Sequence, residues 1–219
     1  MHAAPRLCPT AAACAAVLLL FAGALWSLTR SFQAWTFDEV RRLQALAGER
    51  SAAPLTLLGA SGPHAAPWGL PMAAPAVTLV DFVYTRCPGV CQALGSEYER
   101  MQRELAPGGA VRLLSISIDP AHDRPAELAA YAARHHADPA RWTLGVPDSD
   151  AALQGLLRSL GVVVVPDGLG GFVHNGATHL LDARGRLRGL YGYAEWREAL
   201  AAAQAQAQAQ AQALVQAQR

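Results

Sequence analysis

The chain is 219 residues long, enough for one ordinary domain with appendages, and 52% of it is apolar. A formal net charge of +1 supplies no field to hold a polyanion, so nucleic acid is excluded as an expected partner. All 18 basic residues are arginine and alanine is abundant, a compositional bias that carries no functional signal of its own.

From Leu7 to Thr29 there is no charged residue, and Arg6 and Arg30 flank the run. These 23 residues are enough helix to cross a bilayer. Ala22-Gly23-Ala24 resembles a signal cleavage site, which is the rival reading. The apolar run continues past it through Leu25, Trp26 and Leu28, which favours a retained anchor. Arginine counting mildly favours an outside N-terminus, because Arg30, Arg41 and Arg42 outnumber Arg6.

Thr36-x-x-Glu39 is a capping box; Phe37, Val40, Leu43, Leu46 and Ala47 follow at helical spacing, and Gly48 is a stop. Ser51 to Pro75 is rich in Pro, Gly and Ala, with a short strand predicted at Leu55–Leu58. Val77–Tyr84 then reads as a buried strand, Val90–Leu105 as a helix and Val111–Ile118 as a second strand. Pro125–His136 is a helix opened by proline, Asp150–Leu160 a helix closed by Gly161, and Val162–Val165 a short strand. Thr178–Asp182 and Arg186–Tyr191 form a hairpin around Ala183-Arg184-Gly185, with helix from Ala194 onward. This alternation predicts an α/β sandwich with a central mixed sheet. Ala201–Gln218 alternates Ala and Gln; it has helix-forming composition but little apolar stripe, and is expected to fray without a role in any site.

Of four cysteines, Cys8 and Cys14 lie in or beside the apolar N-terminal segment, leaving Cys87 and Cys91 as the only pair elsewhere. One close pair points to redox or soft-metal chemistry more than to a structural staple. A strand delivers it to a helix start, where unpaired amides and partial positive charge favour the thiolate, with Arg86 adjacent. The bland alternative is two small apolar core residues. Among the histidines, His174 stands apart, ahead of Asn175-Gly176 at the mouth of a strand. His64 reads as solvated, His122 as a loop residue, His135 and His136 as closing a helix, and His179 as a packed strand residue.

Taken together, these blocks resemble the SCO/SenC family of membrane-tethered, thioredoxin-like copper proteins, from about Pro54 to Tyr193. Tyr84-Thr85-Arg86-Cys87-Pro88-Gly89-Val90-Cys91 follows the family's Tyr-Thr-x-Cys-Pro-x-x-Cys. Ser117-Ile118-Asp119-Pro120-Ala121-His122-Asp123, with Pro125 after it, follows its Ser-x-Asp-Pro-x-x-Asp, and His174 precedes strand-end Asp182 and the Gly185 turn. The resemblance implies a thioredoxin-like sandwich behind an N-terminal transmembrane helix, with one copper ion, Cu(I) or Cu(II), held by Cys87, Cys91 and His174. It implies a chaperone for the binuclear copper centre of cytochrome c oxidase. The partner would be the oxidase's copper-bearing subunit or another periplasmic copper or thiol protein. The place would be the bacterial inner membrane with the domain facing the periplasm, against the arginine count. The alternative is a periplasmic thiol–disulfide oxidoreductase with Cys87 attacking and Cys91 resolving. A zinc site would want a fourth ligand, and none is evident. The chain departs from the family pattern at Gly89, where aspartate is usual, and at Val173 and Asn175 around His174. The expected organisation is an anchor or signal segment at 1–30, a helical linker at 31–53, the copper-binding domain at 54–198 and an Ala/Gln tail at 199–219.

Overall fold

The structure, a computed structural model, describes residues 9–59, 62–66, 68, 77–87 and 89–217. His2, Arg6, Leu7, Cys8, Pro88, Gln218 and most of the stretch before Val77 lie outside the described residues. The chain falls into two units, Met1–Leu43 and Gln44–Arg219.

In the first unit, helix α1 (Pro9–Leu28) is apolar on every side, with a mean hydropathy of 2.2 and no residue buried inside the protein. It is long and apolar enough to cross a membrane, a property that a signal sequence shares. Helix α2 (Phe37–Leu46) starts on the capping box. Glu39 accepts the Thr36 N–H at 2.9 Å, and the Thr36 hydroxyl accepts the Glu39 N–H at 3.1 Å.

The second unit is built on a seven-stranded sheet in the order β2-β1-β5-β4-β3-β8-β9. Its interior strand β3 (Val77–Val83) is buried at every position and pairs in parallel with β4 (Val111–Ser117). Burial on both faces explains the mostly apolar run, which Thr78 and Asp81 interrupt, and the parallel pairing requires the crossover through helix α3 (Val90–Arg103). On the other side β3 pairs antiparallel with β8 (Thr178–Leu181), which turns into β9 (Leu187–Tyr191). Gly185 makes that turn at φ +78, where an added Cβ would meet the Ala52 carbonyl and the Trp68 ring at 2.7 Å. Beyond β4 lie β5 (Trp142–Pro147), in parallel, and the hairpin β1 (Thr56–Gly59) and β2 (Gly62–Ala65).

Alternation along β3 feeds two cores. Val80 and Phe82 join Leu114, Ile116 and the α5 residues Leu153, Leu157 and Leu160 on one face (α5, Asp150–Leu160). Val77 and Leu79 join Tyr98, Met101, Tyr131 and Leu200 on the other, from α3, α4 (Pro125–Arg134) and α6 (Trp196–Ala217). Helix α5 opens on the Ser149 hydroxyl, which accepts the Ala152 N–H, and closes at Gly161 in the left-handed region.

The structure adds β2, β5 and a three-residue strand at Phe172–His174 to the expected elements. It also changes the account of the tail. Helix α6 runs unbroken to Ala217, and Ala199, Ala203 and Ala207 are buried against the second core. Alanines four apart form a narrow stripe that lets the helix approach closely, so the segment needs no large apolar residue to dock.

Candidate metal and thiol site

Strand β3 ends at Val83, and the chain turns so that the Cys87 N–H donates to the Tyr84 carbonyl at 3.1 Å. Helix α3 begins at Val90, so Cys87 lies just ahead of the helix and Cys91 within its first turn. The N-cap is Gly89, which has no side chain to accept the free amides. The Cys87 sulfur takes that place. Burial disfavours its ionisation, but hydrogen bonds from the Cys91 backbone and thiol, the Gly89 amide and the Tyr84 hydroxyl prevail, and hold its pKa below the ordinary thiol value. Cys91 is the opposite case. Burial pushes its thiol far up, reinforced by the charges of Cys87 and Asp81. Both thiols are free and buried.

The turn is held from below by Asp123, which is fully buried. Its carboxylate accepts the Thr85 N–H at 3.0 Å, the Thr85 hydroxyl at 2.6 Å and the Ser117 hydroxyl at 2.6 Å. This knot ties the Tyr-Thr-x-Cys block to the Ser-x-Asp-Pro-x-x-Asp block and accounts physically for their joint presence. Further out, the Arg86 Nη2 donates to Asp119 at 2.9 Å and to the Gly170 carbonyl at 3.1 Å, while His122 Nδ1 lies 2.9 Å from the other Asp119 oxygen. Helix α4 adds two supports. The Tyr131 hydroxyl donates to the Cys91 carbonyl at 2.5 Å, and His135 meets Gln92, whose amide reaches the Cys87 carbonyl.

His174 sits on a separate ribbon of β6 (Val164–Pro166) and β7 (Phe172–His174), paired to no strand of the main sheet. Val164 and His174 are cross-strand partners, as are Val165 and Val173. Alternation puts Phe172 and His174 on one face and Val173, which is exposed, on the other. On the inner face the Phe172 ring meets Tyr84 edge-on at 5.4 Å, and the Tyr84 hydroxyl reaches the Phe172 carbonyl at 3.4 Å. Both ring nitrogens of His174 are buried without a hydrogen-bond partner among the described residues. Burial alone lowers its pKa, which favours the neutral imidazole.

The two thiols therefore adjoin, and the ribbon that carries His174 touches the cysteine turn through the Phe172–Tyr84 contact. Among the described residues no three His, Cys, Asp or Glu side chains are gathered closely enough to hold a metal as they stand. The donor set still fits a soft or borderline cation: one activated thiol, a second beside it, and a neutral imidazole with both nitrogens unspent. The other histidines sort differently. His64 lies on β2, half-buried, rather than solvated in a loop, and its Nε2 is buried. His135 closes helix α4 as its C-cap, as expected, and is buried against the Tyr131 ring. His136 is exposed beside Glu99, and His179 is buried edge-on to Phe82. Sequence reasoning gives Asp123 a part in shaping this loop, which its three hydrogen bonds fill, and gives Tyr131 none. Only the co-occurrence of the two sequence blocks pointed to Asp123, and nothing in the sequence singled out Tyr131.

A family model described as SCO1/SenC matches residues 73–209. The SCO1 protein homolog of Bacillus subtilis (strain 168) is 27% identical over 114 residues, which cover 51% of this chain and 59% of that protein. The chain spans little more than half the length of the curated relatives it matches, 59% and 55%. Among solved structures, BsSco, a member of the Sco family of cytochrome c oxidase assembly proteins with an identified disulfide switch, superposes with a TM-score of 0.61 at 21% identity. That match covers 73% of this chain and 94% of BsSco. Bradyrhizobium japonicum ScoI with copper bound superposes with a TM-score of 0.53 at 25% identity, over 71% of this chain and 99% of that one. The fold is thus the thioredoxin-like mixed sheet expected from the sequence.

Proposed function

The chain belongs to the SCO1/SenC family, and on that premise we propose that it binds one copper ion through Cys87, Cys91 and His174 and delivers it during assembly of cytochrome c oxidase. One observation carries the reading: the buried His174 imidazole, unpartnered among the described residues, lies on the face of a ribbon whose Phe172 packs against Tyr84, and the Tyr84 carbonyl accepts the Cys87 N–H. A buried polar group without a partner is costly unless something meets it. Two thiolates suit Cu(I), and the added imidazole suits Cu(II). A site of three protein ligands leaves room for an acceptor's thiolate to bind before the old bonds break. The acceptor would be the copper-bearing oxidase subunit or another periplasmic copper or thiol protein. Helix α1 would hold the domain at the inner membrane, facing the periplasm.

The thiol asymmetry favours a second reading, a thiol–disulfide oxidoreductase. The Cys87 thiolate would attack a partner disulfide, forming a mixed disulfide and releasing one partner thiolate. Cys91, after losing its proton, would attack the Cys87 sulfur, leaving Cys87–Cys91 oxidised and the partner's dithiol reduced.

The test is a titration of the full chain in detergent. One equivalent of Cu(I) is expected to bind under reducing conditions, and Cu(II) to give a sulfur-to-copper charge-transfer band. His174→Ala is expected to weaken Cu(II) binding while leaving disulfide exchange nearly unchanged. Equal copper binding by the variant would remove His174 from the site. A mixed disulfide trapped by Cys91→Ser, with oxidase activity in cells unaffected by loss of the protein, would give the second reading precedence.

A further inference from the structure

The ribbon carrying His174 is weakly supported by its own ladder. It has three residue pairs, one of them through Pro166, which has no N–H to give. An isolated two-stranded hairpin is marginal in water. Its base is closed by Asn175, which accepts the Val163 N–H at 2.7 Å and donates to the Gly161 carbonyl at 3.2 Å. Its tip, 167–171, is wound by Asp167, whose carboxylate accepts the Leu169 and Gly171 amides at 2.8 and 2.9 Å. Gly170 there has φ +89. That winding turns the Gly170 carbonyl toward the cysteine turn, where Arg86 takes it.

The geometry around Arg86 admits one consistent arrangement of protons. The two hydrogens on Nη2 go to Asp119 at 2.9 Å and to the Gly170 carbonyl at 3.1 Å. His122 Nδ1, 3.0 Å from Nη2, must then keep its own proton and donate it to Asp119. Asp119 is buried and doubly engaged, so it is a fixed post. The guanidinium joins this post, at the end of β4, to the tip of the ribbon.

We propose that Arg86 is a positioning residue for His174: by bridging Asp119 to the Gly170 carbonyl it latches the β6–β7 ribbon against the cysteine turn and sets where the imidazole stands. Arg86 immediately precedes Cys87, so the latch couples the thiol turn to the imidazole by a path independent of the Tyr84–Phe172 contact. For its metal arm the proposal rests on the copper reading above; its metal-free arm does not.

The metal-free arm follows carbethoxylation of each histidine in the full-length apo protein by peptide mapping. Arg86→Met is expected to raise the His174 rate several-fold while His135 stays unchanged. An unchanged His174 rate would overturn the latch, whatever copper does. In the metal arm, loss of a residue that orients a ligand typically costs about 10- to 100-fold in affinity. Arg86→Met is expected to lower Cu(II) affinity by about tenfold or more in the parent, and by less than about twofold when His174→Ala is already present. Equal loss in both backgrounds would mean that Arg86 acts on the thiols, and would overturn the proposal. If His174→Ala alone leaves copper affinity intact, the copper reading fails, and the apo arm still decides the latch. Should Arg86→Met not fold, Asp119→Asn, which weakens the same post, carries the same expectations.

Discussion

The turn bearing Cys87 and Cys91 hangs from the middle of the sheet, whereas the ribbon bearing His174 is paired to no strand of it. The turn inherits its position from a strand buried at all seven positions and from a carboxylate with three donors. The ribbon is held by Val164 and Phe172 packed on the margin of one core, by the Tyr84 and Asn175 hydrogen bonds, by one arginine and by its own capped loop. The soft sulfur donors are thus placed by the fold's core and the imidazole by its periphery. Damage on the turn side is expected to appear as lost stability, and damage on the ribbon side as lost copper affinity.

The largest expected effect lies beneath the turn. Asp81 is fully buried on β3, and burial, offset only in part by Ser115, pushes its pKa up to about 7. A folded pKa above the unfolded one means that the stabilising state is protonated. That contribution is complete below about pH 4 and is lost as pH rises through 7, a total on the order of 4 kcal/mol. Asp81→Asn removes the slope. Chemical denaturation at pH 4.5 and pH 8 should show the variant gaining on the parent as pH rises. Parallel profiles would show that Asp81 is not the strained group of the core.

Next in size is Asp123→Ala, which strands the Thr85 N–H, the Thr85 hydroxyl and the Ser117 hydroxyl. Three buried or half-buried donors left without their acceptor cost about 3 kcal/mol or more in unfolding free energy. The ribbon counterpart is Phe172→Ala. An aromatic pair contributes about 0.5–1.5 kcal/mol, so stability should fall by about 1 kcal/mol while Cu(II) affinity falls by about tenfold. If Phe172→Ala unfolds the protein as readily as Asp123→Ala does, the division between core and periphery is wrong.

That division also explains what was legible in the sequence. The turn was legible because a buried strand, a helix start and two cysteines are contiguous. The Thr36–Glu39 cap, the α5 helix and the Gly185 turn were legible because each is fixed by local chemistry. Strand β5 was not, since Gly145 and Pro147 break its apolar pattern while long-range pairing with β4 and β1 secures it. Docking of α6 was hidden because its stripe is alanine. His174 could be singled out by its neighbours and by family resemblance. Its burial could not, because the ribbon's three-residue strands depend on Tyr84 and Arg86, which lie about ninety residues earlier in the chain.

The smallest effect tests the ribbon's placement of the imidazole directly. Only neutral imidazole binds metal, so protons compete with copper at His174 below its pKa. Burial lowers that pKa from the ordinary 6.5, and no charged group contributes to the shift. The copper-affinity advantage of the parent over His174→Ala should therefore hold constant from pH 8 to below 6.5. It should then shrink by up to about tenfold per pH unit once the imidazole protonates. Taking the difference between the two proteins removes the pH dependence of the thiols, which they share. In Phe172→Ala the ribbon face opens, the imidazole regains water, and the onset should move up toward 6.5. An onset at 6.5 in the parent itself would mean that His174 is already solvated, and that the ribbon does not hold it inward at all.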